Sequence, residues 1–379
     1  MFTVHRKKKR YKFYLLLVIS FTFLLFGYVH FGESDNELSW EWVIQPGEYE
    51  YFHFVNDDWI AVQNENGNYI VMNTQRELVL PDEYEGIGKY SEGLAEVVEN
   101  GKSGYINTVG DVVVECQYED VGAFQEGLAE VKQNSKWGYI NTAGDVVVEC
   151  QYEDVEAFQE GLAAVKQNSK WGYINTAGDV VIECQYDEAG VFQEGLAAVK
   201  QRYKWGYIDT IGRTIVELKY DEAGNFSEGK AAVKRKKQEK HLDEWAYINK
   251  NDEIVIDFYP YSGGSECGML RVGEFQNGRA FVTKDVYCFI DEKGNRLYED
   301  TMFFLAYEGY SEKYDANPGY IYTDEKMTVR KYGLVSARGE QKLEPVFDYI
   351  SGIVGDYVLV SLYSGNGELE DGMIRLIQR

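Results

Sequence analysis

Trp137, Trp171 and Trp205 stand 34 residues apart, and each opens the same tetrapeptide, Trp-Gly-Tyr-Ile. Aromatic faces presented at a fixed spacing stack on sugar rings and on cationic groups. Trp137, Trp171 and Trp205, with Tyr139, Tyr173 and Tyr207, are therefore candidate ligand-stacking residues, a ladder suited to a polymeric cell-wall glycan. The same residue types also make good filling between stacked units, with Gly138, Gly172 and Gly206 admitting a neighbouring backbone.

Other chemistries find less support. Tyr84-Glu85, Tyr118-Glu119, Tyr152-Glu153, Tyr186-Asp187 and Tyr220-Asp221 repeat an aromatic-acid step, but one carboxylate per unit and no Asp-x-Asp-x-Asp-Gly loop is poor calcium coordination. These steps are expected to form turns. Cys116, Cys150 and Cys184 also recur at 34 residues and lack paired histidines, so they read as small apolar residues rather than zinc ligands. Beyond residue 32 the only histidines are His53 and His241, and neither sits in a nucleophile motif. No Gly-x-Ser-x-Gly elbow, phosphate loop or nucleotide fingerprint occurs. No cofactor, no metal and no catalytic activity is expected.

The elements that must hold these residues follow from the repeat. From Gly110 to Ala143 and from Gly144 to Ala177, only two of 34 positions differ: Gly122 against Glu156, and Glu130 against Ala164. Weaker copies, marked by Asn68, Gly104, Ala246, Cys288, Gly333 and Gly372, bring the count to nine units. The step lengthens to 40, 42 and 45 residues after Gly206, so insertions lie there, among them the basic run from Lys234 to His241, expected as a solvated hairpin tip.

Apolar spacing within a unit is two, as in strands. Gly161–Gln167 and Lys170–Thr176 alternate, and Asp179–Tyr186 is expected to set Val180, Ile182, Cys184 and Tyr186 on one face. Asn-Thr-Ala-Gly-Asp between the second and third strands supplies the residues that a short hairpin loop needs. The fold class is thus all-β: tandem three-stranded repeats of about 34 residues forming a curved open array or a propeller-like ring, preceded by one transmembrane helix. A strand-like segment at Glu48–Val55, with two strands at the C-terminus, offers complementary ends for ring closure.

The pattern F-x-E-G-L-A-A-V-K, K-W-G-Y-I, V-V-I-E and Y-D-E resembles the bacterial WG-repeat family over most of residues 58 to 350, thinning at Ala246 and Cys288. That resemblance implies a tandem β-repeat domain in a membrane-attached or secreted protein.

The N-terminus fits such a setting. Phe13–Phe31 holds no Asp, Glu, Lys or Arg, and six Lys and Arg precede it. This length and charge asymmetry predict a single-pass anchor with the N-terminus cytoplasmic and the remainder extracytoplasmic. A cleaved signal peptide is the alternative, disfavoured because no small-x-small site follows the apolar run. The chain then divides into a basic N-terminus (1–12), the anchor (13–31), a linker and N-terminal cap (32–57), WG-type repeats (58–233), and divergent repeats with a C-terminal cap (234–379). Past residue 32 the chain carries 63 acids against 32 bases, which repels nucleic acid. The expected function is a binding or scaffolding module of a bacterial envelope whose partner is a cell-wall glycan or an envelope protein. A structural spacer and a carbohydrate-active enzyme, its carboxylates in Ile254–Tyr349, are the alternatives.

Overall fold

The computed structural model describes residues 38–80, 83–236, 243–257, 271–283, 287–295, 304–305, 317–322, 330–335, 341–354, 356–364 and 368–378. The expected anchor at 13–31, the tip of the basic run at 237–242 and Cys267 lie outside them. Among the described residues no helix is long and apolar enough to cross a membrane.

The described elements are strands, gathered into nine small antiparallel sheets that form a nine-bladed propeller ring. In chain order the blades span 52–73, 86–118, 120–152, 154–186, 188–220, 222–257, 271–291, 304–347 and 349–378. Blade 4 is representative: Asp154–Val155, Leu162–Gln167, Lys170–Asn175 and Val180–Tyr186, each hydrogen-bonded to the next. The unit therefore has four strands where three were expected. The extra one is two residues long, too short to show periodicity, and is separated by one residue from the last strand of the preceding blade.

Two turn types join the longer strands. The first hairpin of blade 4 places Asn168 and Ser169 at φ of 53° and 62°, the left-handed pair of a type I′ turn. The second uses Asn175, whose Oδ1 accepts from the amides of Ala177 and Asp179, and Gly178 at φ 86°.

The Trp-Gly glycine meets a backbone from its own blade. Trp171 pairs with Tyr186 and Tyr173 with Ile182, so two residues of one strand oppose four of the other. The resulting bulge lies over Gly172, where a Cβ would stand 2.4 Å from the Ile182 carbonyl oxygen and 2.7 Å from the Cys184 nitrogen. The bulge follows the glycine and not the tryptophan. It recurs at Ser103-Gly104 and Tyr332-Gly333, whereas at Trp245-Ala246 the alanine pairs directly with Asp257 and its neighbour Tyr247 with Ile256.

The bulge also corrects the expected facing of the third strand. Ile182 and Tyr186 pack toward blade 5, Cys184 turns the opposite way onto the interface with blade 3, and Val180 is exposed. Cys184 Sγ lies 3.6 Å from the Val165 carbonyl oxygen, and Cys116 and Cys150 repeat the arrangement.

The apolar core is distributed between blades. Leu162, Ala164, Tyr173 and Ile182 of blade 4 pack on Phe192, Ala197, Val199 and Ile208 of blade 5, and equivalent clusters fill the neighbouring interfaces. The ring is closed by the chain ends. Leu38–Ile44 pairs antiparallel with Leu369–Gln378 and completes blade 9, while Ile44 and Met373 pack on Phe54, Ile60, Val62 and Met72 of blade 1. Closure thus uses a segment N-terminal to the expected Glu48–Val55, which contributes Phe52–Phe54, the first strand of blade 1. A closed ring replaces the open-array alternative and leaves no free end to cap.

Gly172→Ala should lower stability by on the order of 3 kcal/mol, because the clash is with backbone that cannot yield without undoing the bulge. Ala246→Gly should cost only ~0.5–1 kcal/mol. Urea midpoints of the two variants check this, and equal effects would remove the assigned role of the glycine.

Candidate functional site

Repeated side chains were the sequence candidates, and the structure puts most of them to use between blades. Tyr139, Tyr173 and Tyr207 are fully buried. Their hydroxyls donate to the carbonyl oxygens of Glu156 (2.8 Å), Gly190 (2.8 Å) and Gly224 (2.7 Å) in the next blade, and their rings meet Phe158, Phe192 and Phe226 edge-on at 4.7–4.8 Å between centroids. Burial raises all three phenol pKa values. These rings offer no surface to a ligand.

The tryptophans are not equivalent. Trp171 is 8% exposed, while Trp137 and Trp205 are half-buried. Each carries a lysine ammonium of the adjoining strand over its ring: Lys132 at 5.2 Å from Trp137, and Lys166 and Lys200 at 5.6 Å from Trp171 and Trp205.

Two carboxylate devices went unread in the sequence. Glu126 accepts from the amides of Glu160 (2.8 Å) and Gly161 (2.8 Å), and Glu160 from those of Glu194 (2.7 Å) and Gly195 (2.8 Å). Each Glu-Gly pair has positive φ at both residues, so successive amides form an anion-binding concavity filled by the preceding blade. The Tyr-acid steps do more than turn the chain: Glu119 and Glu153 accept from the amides of Ser135 and Ser169, both at 2.9 Å, and so hold the type I′ hairpins. Asp187 does the same for Arg202 and is paired with Lys170, whose hydrogen bond lowers its pKa. His53 is also structural, its Nε2 2.8 Å from the Ile87 carbonyl oxygen of blade 2.

One location breaks the pattern. A cleft of about 310 Å³ opens between blades 3 and 4, and its lining includes Glu130, Trp137, Val155 and Glu156. Glu130 and Glu156 are two of the four residues at the two positions where the near-identical units differ. Glu130 is 9% exposed, and its carboxylate lies where a side chain at Gly122 would be, 2.1 Å from a Cβ built there. Burial raises the pKa of both glutamates, and the charge of Glu156 raises that of Glu130 further. The equivalent pairs at the two following interfaces are Ala164 with Gly190 and Ala198 with Gly224. Among the described residues no cluster has the donor set of a metal site.

The fold and its repeated contacts define the class. The WG containing repeat family matches residues 41–69, 71–102, 104–137, 137–171, 171–205 and 205–237. These cover just over half of the 379 residues, and the chain belongs to that family. Its structure is similar to the crystal structure of the eukaryotic initiation factor, with a TM-score of 0.55, 12% identity, and coverage of 84% of this chain and 93% of that one. At that identity the likeness is one of fold. A weaker likeness, TM-score 0.31 at 12% identity over 64% of this chain and 88% of the other, is to BBS1N in complex with ARL6DN. None of the curated proteins compared matches the chain in sequence.

A buried carboxylate whose pKa is raised by folding penalises the folded state once it ionises. The penalty is absent below the ordinary glutamate value, develops as pH rises through it, and is complete above the raised value. The charge of Glu156 adds to the effect, whereas Tyr105 and Tyr139, which also face Glu130, have raised pKa values and stay uncharged in this range. Glu130→Ala should therefore be more stable than the parent at pH 7, with the difference shrinking toward pH 4. Thermal midpoints across that range check the sign.

Proposed function

We propose that this WG-repeat ring is a non-catalytic binding or scaffolding module, held outside a bacterial membrane by the segment 13–31, and that its partner is an envelope protein with a basic face. The observation that carries the reading is the engagement of the repeated polar groups within the ring. The Tyr hydroxyls, the Glu-Gly carboxylates and the Tyr-acid carboxylates hold blade to blade or strand to strand. What such a ring presents outward is shape and charge, and past residue 32 the charge is 63 acids against 32 bases. A surface of that sign favours basic partners and steers them by long-range attraction.

A cell-wall glycan is the second reading, favoured by the half-buried Trp137 and Trp205. A ladder of identical stacking sites is harder to build with Trp171 tucked away and the tyrosines fully covered.

Two measurements test this. Protease added to intact spheroplasts should degrade residues beyond 33 of the full chain, and deletion of 1–32 should release the ring from the membrane fraction. Protection from protease would overturn the location. The soluble ring should fail to cosediment with insoluble peptidoglycan at 150 mM salt. Pelleting that survives that salt and is lost in Trp137→Ala and Trp205→Ala would replace the protein partner with a glycan.

A further inference from the structure

We infer that the cleft between blades 3 and 4 is a binding site for a small organic ammonium ion, with Glu130 and Glu156 accepting its N–H groups and Trp137 and Val155 covering its hydrocarbon part. The inference does not depend on where the ring is housed.

Four observations converge on it. The first is space: about 310 Å³ lies at the small end of ligand sites and suits a ligand of a few to about ten heavy atoms. The second is unbalanced charge. Glu130 is nine-tenths buried, and among the described residues neither Glu130 nor Glu156 forms an ion pair. A carboxylate so largely buried is favoured by an opposite charge brought beside it. The third is an aromatic wall: Trp137 already bears the Lys132 ammonium over its ring at 5.2 Å, so its electrostatics suit cations.

The fourth is the pattern of divergence. Units 110–143 and 144–177 differ at two positions. Those two differences place Glu at the second-strand position of blade 3 and Glu at the first-strand position of blade 4, the pair that meets across this one interface. At the preceding interface Glu96 faces Gly122, and at the two following ones alanine faces glycine. At the 3–4 interface both of these positions are glutamates, and the cleft opens beside them.

Primary ammonium is the chemistry favoured. Carboxylates reward N–H donors with charge-assisted hydrogen bonds, whereas a quaternary group would use the aromatic wall alone. Two acids also suit a short diamine better than a monoamine. The same group occurs on free amines and on lysine side chains, and a lysine derivative distinguishes the two sources.

The test uses the full chain in detergent micelles at pH 7.5, titrated with 1,5-diaminopentane, n-butylammonium, tetramethylammonium and N-acetyl-lysine methylamide, with binding read by calorimetry and by tryptophan fluorescence. The diamine should bind with one-to-one stoichiometry, at least tenfold more tightly than tetramethylammonium. Binding should fall at least tenfold in Glu130→Ala and in Glu156→Gly, substitutions that install the residues of neighbouring blades, and stay unchanged in Glu183→Gln, an exposed acid outside the cleft. Glu130→Gln serves as a second variant if the alanine variant melts lower than the parent. Retention of the lysine derivative would identify a side-chain source, and its exclusion a free amine; both support the site. Absence of diamine binding, equal affinity for tetramethylammonium, or equal loss in Glu183→Gln would overturn it.

Discussion

The hydroxyl of Tyr173 donates to the carbonyl of Gly190, and its ring lies edge-on to Phe192; both partners belong to the next blade. Buried alone, a tyrosine in a four-stranded sheet would face water with its ring or leave its hydroxyl unpaired, and an unpaired buried hydroxyl costs ~1–3 kcal/mol. Docked, each such contact gains a hydrogen bond and an aromatic pair worth ~0.5–1.5 kcal/mol beyond burial. No blade can be folded in the full sense without its neighbour. Stability is therefore a sum over interfaces, and an open stack would end in one exposed tyrosine face. Pairing Leu38–Ile44 with Leu369–Gln378 brings blade 9 against blade 1, where Ile44, Phe54 and Met373 make the missing interface.

Much of this was legible because duplication writes the same physics many times. Nine units were countable from the tripeptides ending at the Tyr-Ile position or its variants, and each became the third strand of a blade. The hairpin at Asn-Thr-Ala-Gly-Asp was legible from its Asn and Gly, which tolerate the left-handed region. What failed was local. A two-residue strand has no period, so Asp154–Val155 was not counted among the strands. Strict alternation put Cys184 with Ile182, but a bulge resets the facing, and only the backbone pairing reveals that Gly172 exists to admit it. The closing strand was placed too late because Leu38–Ile44 lacks a Trp-Gly neighbour of its own.

The candidate site was legible in one respect and hidden in another. Comparing units 110–143 and 144–177 isolates Gly122, Glu130, Glu156 and Ala164 as the departures from identity. Their positions in sequence say nothing of contact, since Glu130 and Glu156 are 26 residues apart on different blades. Only the stacking of blade 3 on blade 4 makes them neighbours. The tryptophans were conspicuous for the opposite reason: regularity drew attention to them, and regularity is what an inter-blade role produces. In a repeat protein a residue present in every unit serves the stack first.

That reasoning applies with more force to a departure that carries a stability penalty. Glu130 stands where blades 4 to 6 have alanine, leaves a carboxylate nine-tenths buried, and sets an oxygen where a Cβ at Gly122 would lie. An alanine there would be compatible with the stack, as Ala164 and Ala198 demonstrate by their complete burial. Glu130 and Glu156 are coupled through their charges. Glu156 stands where blades 2, 3, 5 and 6 have glycine, and Glu130 where blades 4 to 6 have alanine; the two departures meet beside one cleft, in a stack whose repeated contacts hold the blades together.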